Sequence, residues 1–435
     1  MSKHKNILLA FYGDDFTGST DALEFISRAG ARTVLFTETP TTEQLRSFPD
    51  LDAFGVAGKT RSLNPYEMEK TLLPAFEQMK TIGANHIHYK VCSTFDSSPT
   101  VGSIGKAIDC GAKVFNNKTI PVLGGMPTLG RYCVFGNLFA KMGIGSNGKV
   151  YRIDKHPSMS KHPVTPMKEA DLRIHLGKQT NKKIGVIDNV QQKAKKKEWL
   201  NNITEEEVVL LDTINENELL KIGEWLNAQQ KKHGQLFSVG GSGVEMALGS
   251  CWNKEKKLKP INKWKKIKKA EALLVISGSC SPVTSGQIGY GKANGFEEVI
   301  IDAVKVCNDG VVDESVMRVV NKLLNQQKNV IVHTGEKQSQ NISSEKLGTA
   351  LGTIAKNAVL NTSVKRVVIA GGDTSSYAAR AMEIDAVEVI APLVSGAPLC
   401  RAYSKNKAIT GLEVNFKGGQ VGDEKYFEML LNGEL

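Results

Sequence analysis

Residues 7–30 read "ILLAFYGDDFTGSTDALEFISRAG". Ile7 to Phe11 is an apolar run with the character of a buried strand, and from Ser19 to Ala29 the residues Leu23, Phe25, Ile26 and Ala29 return at helical spacing. The turn between them carries two adjacent carboxylates, Asp14 and Asp15. Burying paired negative charge at a strand end is unfavourable unless something compensates it, so the pair signals a ligand or an ionic partner. Strand, turn and helix in one short stretch is the repeating unit of an α/β protein, and the rest of the chain keeps the rhythm. "TVLFT", "AFGVAG", "HIHYKVC", "YCVFG", "KIGVID", "VVLLD" and "LFSVGG" precede a lysine-rich segment, with a helical pattern over 66–81. "ALLVISG", "EVIIDAV", "NVIVHTG", "RVVIAGG", "VEVIAPLV" and "LEVNF" follow it. Strands that are apolar throughout and separated by helices predict parallel sheets covered on both faces. The expectation is an α/β protein of two domains, each a mainly parallel sheet flanked by helices: 1–250, a Lys-rich connector at 251–270, and 271–435. Ligands in such sheets bind beyond the carboxyl ends of strands, in the crevice where loops meet helix starts.

The length, 435 residues, is more than one ordinary domain needs. With 41% hydrophobic residues and no low-complexity tract, the chain can bury a sizeable core and disorder is excluded as its main state. The seven cysteines are scattered without CxxC spacing and "MSKHK" lacks a secretory signal, so reduced thiols and a cytoplasmic location are expected. No apolar run reaches the roughly 18 residues of a membrane span. The net charge of +11 is concentrated: residues 254–269, "KEKKLKPINKWKKIKK", hold nine lysines and one glutamate. Neither an aromatic ladder nor a finger motif accompanies them, which reads as a solvated connector rather than a nucleic-acid surface.

Three segments of the C-terminal half share a strand, a Gly/Ser turn and a helix. They are "LLVISGSCSPVTSGQIGYG", with Ser277, Ser279 and Ser281 ahead of Pro282; "RVVIAGGDTSSYAARAM", with Gly371, Gly372, Asp373 and Thr374; and "LEVNFKGGQVGDEKYFEML", with Gly418, Gly419 and Gly422. Glycine lets a backbone approach a ligand, and free N–H groups at a helix start favour anions, so three such turns on one sheet make a phosphate cradle. The stretch "GIGSNGKV" at 143–150 matches GxxxxGK but ends in Val150 where Ser or Thr would bind Mg2+, and it leads into a strand. A dinucleotide fingerprint is also missing from the strand-to-helix position, which disfavours hydride transfer.

The N-terminal half offers the acceptor chemistry. Successive side chains of an extended segment point opposite ways, so one of Asp14 and Asp15 faces the crevice, as hydrogen-bond acceptor or general base for a polyol, while the other supports the turn or helix start. In "HYKVCSTFDSSPTVGSIG" (88–105), Lys90 interrupts an apolar strand and is followed by Cys92, Ser93, Thr94, Asp96, Ser97 and Ser98. A lysine beside a run of small hydroxyls at a strand end meets a carboxylate or a phosphate. Cys92 has no local base and reads as a small structural thiol. Arg61, after "AFGVAGKT", presents a fork that fits a substrate carboxylate, and "FSVGGSGVEMAL" (237–248) repeats the glycine-turn theme. The histidines show no zinc-like spacing and read as packing residues.

Taken in order, "GDDFTGSTD", "KVCSTFDSS", "HPVTPMKEADLRIHL", "SGSCSPVTSGQI", "AGGDTS", "PLCR" and "KGGQVGDEKYF" resemble the four-carbon acid sugar kinase family over nearly the whole chain. The resemblance implies an N-terminal domain that holds the sugar acid (threonate, erythronate or 3-oxo-tetronate) and a C-terminal domain that holds ATP. It also implies transfer of the γ-phosphoryl group to the terminal 4-hydroxyl in the cleft between the domains, a chemistry for which Mg2+ is the expected companion of the phosphates. The family's acidic motif falls on Asp14 and Asp15, its substrate segment on Lys90, Cys92, Ser93 and Thr94, and its arginine on Arg61. Its nucleotide loops fall on Ser279, on Gly371, Gly372, Asp373 and Thr374, and on Gly418 with Gly419, and Ser277 is expected to bind the nucleotide with them. This chain departs from the pattern at Tyr12-Gly13 and at Asp373, where an apolar-Ala pair and a glutamate are common. The segment "GGMPTLGRYCVFG" (124–136) resembles the family's arginine-bearing loop less closely, and Arg131 is left as an interior or cleft residue without an assigned role. The expected partners are a sugar acid, ATP and a second copy of the chain, with no nucleic acid and no membrane. A phosphate-cofactor dehydrogenase or isomerase, and a non-catalytic sugar-acid or nucleotide regulator, remain the competing readings.

Overall fold

The structure, a computed structural model, describes residues 7–142, 148–162, 164–195, 198–199, 205–309, 312–335 and 343–434, so residues 143–147 of the GxxxxGK stretch lie outside the described residues. Its strands are β1 (Leu9–Gly13), β2 (Thr33–Phe36), β3 (Ala53–Ala57), β4 (His86–Lys90), β5 (Ile120–Leu123), β6 (Arg131–Val134), β7 (Asn137–Lys141), β8 (Val150–Arg152), β9 (Ile184–Ile187), β10 (Val208–Leu211), β11 (Leu236–Gly240), β12 (Leu273–Ser277), β13 (Phe296–Ile300), β14 (Asn329–His333), β15 (Arg366–Ala370), β16 (Ala386–Val394), β17 (Ala397–Tyr403) and β18 (Glu413–Lys417). The chain divides into two compact units, one of residues 1–33 and 39–261, the other of 34–38 and 262–435.

In the N-terminal unit, strands run parallel in the order β3-β1-β4-β11-β5-β10-β9. The chain reaches β3 on one side of β1 and then crosses to β4 on the other, which makes the carboxyl end of β1 a topological switch point. Register keeps the neighbouring strand ends level: Gly13 pairs with Ala57 and with Lys90, and Lys90 with Gly240. β6, β7 and β8 form a separate antiparallel sheet. The first helix, Phe16–Arg28, begins three residues before the sequence pattern suggests because Asp15 caps it, accepting from Gly18 N. The helix Pro65–Ile82 starts with Pro65 in its first turn and a reciprocal Asn64/Glu67 capping box.

In the C-terminal unit, β13-β14-β12-β15-β18 are parallel, and β17, β16 and β2 continue the sheet antiparallel. Its core gathers Leu273, Val275, Ile331, Val368, Leu399, Tyr426 and Phe427. Residues 259–270 have no regular secondary structure, yet Ile267 is buried in this core and Trp264 packs against it, so the lysine-rich segment is anchored rather than freely solvated.

Candidate functional site

The carboxyl ends of β1, β3 and β4 bring the predicted acidic, basic and hydroxyl groups of the N-terminal unit into one network. Asp15 is fully engaged: Oδ1 accepts from Gly18 N at 2.7 Å, and Oδ2 accepts from Thr17 Oγ1 at 3.1 Å and Arg61 Nη1 at 3.0 Å. Asp14 differs. Its Oδ2 accepts only from Cys92 N, at 3.3 Å, and its buried Oδ1 has no hydrogen-bond partner among the described residues. Arg61 sits in the 3-10 turn Thr60–Ser62 after β3, and its fork joins Asp15 to Asp96 at 2.5 Å. Asp96 in turn accepts from Thr94 Oγ1, which lies 3.0 Å from Cys92 Sγ. Lys90, 1% exposed, donates to Val91 O at 3.0 Å and lies 3.6 Å from Asp21 Oδ2.

Electrostatics follow from that geometry. Burial, reinforced by Asp15, raises the Asp14 carboxyl to about 7 against the pull of Arg61 and Lys90. Burial disfavours the Lys90 ammonium, but Asp21 and then Asp14 outweigh it and hold its pKa above the ordinary lysine value. Burial also pushes the Cys92 thiol up to about 11, which leaves it a protonated structural residue.

Three contributors have no role in the sequence reading. Asp21, one turn along the first helix from the paired aspartates, accepts from Ser242 Oγ at 2.6 Å, and the sole signal for it is an acid on the buried face of an amphipathic helix. Ser242, in the glycine turn after β11, spends its hydroxyl on Asp21 and makes no cap bond to its own helix. Arg131, at the start of β6, donates from Nε to Ser93 Oγ at 3.2 Å. His86 and His88 are buried; His88 Nδ1 meets Glu245 Oε1 at 2.6 Å and Nε2 donates to Gly240 O, a packing role for both histidines.

In the C-terminal unit the three glycine turns converge at the ends of β12, β15 and β18. Ser277 and Lys417 both pair with Ala370 in register. A methyl group on Gly278 would lie 2.4 Å from Thr374 Oγ1, and one on Gly419 would lie 2.9 Å from Ser279 Oγ. Gly371 has φ +124 and lies against Thr374 and Ser279 N. The helix Gly372–Ala381 begins at Gly372, so Gly372, Asp373 and Thr374 form its first turn; Gly371 offers no side-chain cap, and Asp373 points outward, exposed. Those first-turn N–H groups lack intrahelical acceptors and suit phosphate oxygens. Behind the turn, Lys417 is fully buried with Nζ donating to Thr284 Oγ1 at 2.9 Å, and Thr284 Oγ1 donates to Gly419 O. Burial lowers the Lys417 amine to about 7, and no acid is paired with it among the described residues. Lys417 gave the same sequence signal as Lys90, a lysine closing an apolar strand. Among the described residues no group of three or more His, Cys, Asp or Glu is gathered to hold a metal. No helix among them is long and apolar enough to cross a membrane.

Comparison with known proteins describes the two halves of the chain. A model described as a sugar-binding N-terminal domain matches residues 9–248, and one described as a nucleotide-binding C-terminal domain matches 274–427. The chain is 39% identical to the 3-oxo-isoapionate kinase of Paraburkholderia graminis, over 99% of this chain and 95% of that protein. It is 27% identical to the 3-oxo-tetronate kinase of Pseudomonas savastanoi pv. phaseolicola, over 98% and 96%. A solved structure from Salmonella typhimurium LT2 shares the fold with a TM-score of 0.76 at 24% identity, covering 98% of each chain. Another, from Haemophilus influenzae, does so with a TM-score of 0.71 at 21% identity, covering 96% of this chain and 98% of that one.

Proposed function

We propose, since this chain belongs to the four-carbon acid sugar kinase family and is a phosphotransferase, that it transfers the γ-phosphoryl group of ATP to the terminal 4-hydroxyl of a short sugar acid. The substrates named for its relatives, 3-oxo-isoapionate and 3-oxo-tetronate, are the first candidates, with threonate and erythronate behind them. The N-terminal unit holds the acceptor and the C-terminal unit holds the nucleotide.

The observation that carries this reading is Asp14. A general base must be buried enough to have its pKa near the working pH, and it must keep an oxygen free for the substrate proton. Asp14 meets both conditions, with Oδ1 unpartnered among the described residues and a pKa raised to about 7, whereas Asp15 is spent on the helix cap and Arg61. In the proposed reaction Asp14 accepts the proton of the 4-hydroxyl as its oxygen attacks phosphorus. Lys90 and Arg61, held by Asp21, Asp15 and Asp96, stand beside Asp14 and keep it from becoming still more basic. Ser279, Gly371, Gly372, Thr374, Gly418 and Gly419 cradle the phosphates with main-chain N–H groups and hydroxyls. Mg2+ fits as a companion of the phosphates, which supply most of its ligands in such sites, and it neutralises their charge when bound.

An ADP-release assay over both 3-oxo acids and the D and L forms of threonate and erythronate tests the reading. At least one acid is expected to give turnover, and Asp14→Asn is expected to lower kcat on it by about 100-fold or more. Wild-type turnover in Asp14→Asn would remove the base.

A further inference from the structure

We infer that Arg131, with Ser93, is the residue pair that reads the carboxylate of the sugar acid, and that it sets the preference for an acid over an uncharged polyol. This rests on the kinase reading above for the identity of the ligand, and on the disposition of three cations for the assignment. Arg61 has both terminal nitrogens committed, to Asp15 and to Asp96. Lys90 is 1% exposed and faces Asp21 across 3.6 Å. Each of these charges is already balanced by an acid of the protein, so neither has an unmet need for an anion.

Arg131 stands in the same network without such a partner. It makes no ion pair with any acid among the described residues. Nη1 donates to the carbonyls of Leu129 at 2.8 Å and Lys141 at 3.3 Å, and Nε donates to Ser93 Oγ at 3.2 Å. The neutral acceptors fix the plane of the guanidinium and, among the described residues, leave its charge unspent and Nη2 uncommitted. Because Ser93 Oγ accepts from Arg131, its own hydroxyl hydrogen is left to donate. Nη2–H and Ser93 O–H therefore form two donors on neighbouring groups, the pattern a carboxylate accepts. Burial makes the Arg131 charge costlier than an ordinary arginine's, as its lowered pKa records, and an arriving carboxylate relieves that cost. Ser93 follows Cys92, whose N–H holds Asp14, so two adjacent residues of one segment contact Arg131 and the proposed base.

The test is calorimetric titration of wild-type, Arg131→Met and Arg131→Lys protein with the 3-oxo acids, the threonates, the erythronates and the primary amide of each threonate and erythronate, with unfolding midpoints recorded for all three proteins. Wild type is expected to bind at least one acid about 100-fold more tightly than an amide, and Arg131→Met to lose most of that factor for acids while amide affinity moves less than about threefold. Arg131→Lys is expected to fall between them, and the KM for ATP to stay within about twofold in both variants. Equal losses for acid and amide, no loss, wild type that does not distinguish them, or no acid bound at all would each overturn the inference. If the acids bind with this Arg131 dependence but ATP yields no ADP, the kinase reading fails while the carboxylate reader stands.

Discussion

Asp14 is held between two opposing demands. Burial, and then Asp15, disfavours its charge, Arg61 and Lys90 favour it, and the balance lies at about 7 against an ordinary 3.8. Between those values the folded chain keeps a proton that the unfolded chain releases. The stability contribution of Asp14 is therefore full below about pH 3.8 and is lost as pH rises through about 7, where the base form appears. Two outcomes are expected. The kcat/KM of wild type rises through a limb near pH 7, and Asp14→Asn raises the unfolding midpoint more at pH 8 than at pH 5 while it removes turnover. Thermal unfolding at the two pH values checks the second, and an equal shift at both would remove the assignment. The sequence pointed to the aspartate pair but could not divide the roles, because the division depends on Cys92 N, brought from the next crossover strand, and on a helix that starts at Phe16. Thr17 and Gly18 are weak helix formers, so the pattern alone places the start at Ser19 and hides the cap. Arg61 is a similar case: as a residue after a strand it looks available, and only the fold reveals that Asp96, 35 positions on, has taken half of its fork.

The glycine turns allow a prediction in which the fold and the ligand make separate demands. Gly371, at φ +124 with Thr374 Oγ1 only 2.8 Å from an added methyl, cannot become alanine without strain, and Gly371→Ala is expected to cost about 1–3 kcal/mol of stability. At Gly418 the added methyl meets only Val421 Cγ2, at an ordinary 3.4 Å. Gly418→Ala should therefore unfold within about 0.5 kcal/mol of wild type. If ATP phosphates lie on this turn, the same variant should raise the KM for ATP by about tenfold with the KM for the sugar acid unchanged, which steady-state kinetics checks. An unchanged KM for ATP would move the nucleotide off the third turn. The elements themselves were readable wherever the apolar run was long: β1, β4, β11, β12, β14, β15 and β18 all follow from composition. β5 escaped because "IPVL" contains a proline, a residue that demotes a strand, and β17 because "APLCRAY" mixes Pro and Arg into its pattern. The reversal of direction at β16 and β17 has no signature in periodicity, since parallel and antiparallel buried strands read alike.

At the scale of the whole chain, the division into an N-terminal and a C-terminal half that composition suggests is crossed once. β2 lies between β1 and β3 in sequence, yet residues 34–38, which hold all of β2 but Thr33, belong to the C-terminal unit, where Leu35 and Phe36 pair with Val387 and Ala386 of β16. Thr37 N and Oγ1 both donate to Asp385 O, and Arg380 donates to Thr37 O and pairs with Glu38. Val34, Leu35 and Phe36 are buried, each contributing roughly 1.5–3 kcal/mol when removed from water. This placement was not legible because "TVLF" pairs with a strand some 350 positions away, and nothing local marks so distant a partner. It has a consequence for cleavage. Lysines 256, 257, 263, 265 and 266 are exposed in or beside a stretch without regular structure, so brief trypsin treatment should cut there first. A chain whose halves were joined by the connector alone would then separate. Here the amino-terminal fragment keeps its strand in the sheet of the carboxy-terminal unit, and the two fragments are expected to elute together on size exclusion at about 10 μM, where holding them needs roughly 7 kcal/mol, and to part only in denaturant. Replacing Leu35 by Asp, which puts a charge at the centre of that strand, should let the nicked halves separate under native conditions. Fragments that part from the nicked wild-type chain in buffer alone would show that β2 does not hold the C-terminal unit as the structure has it.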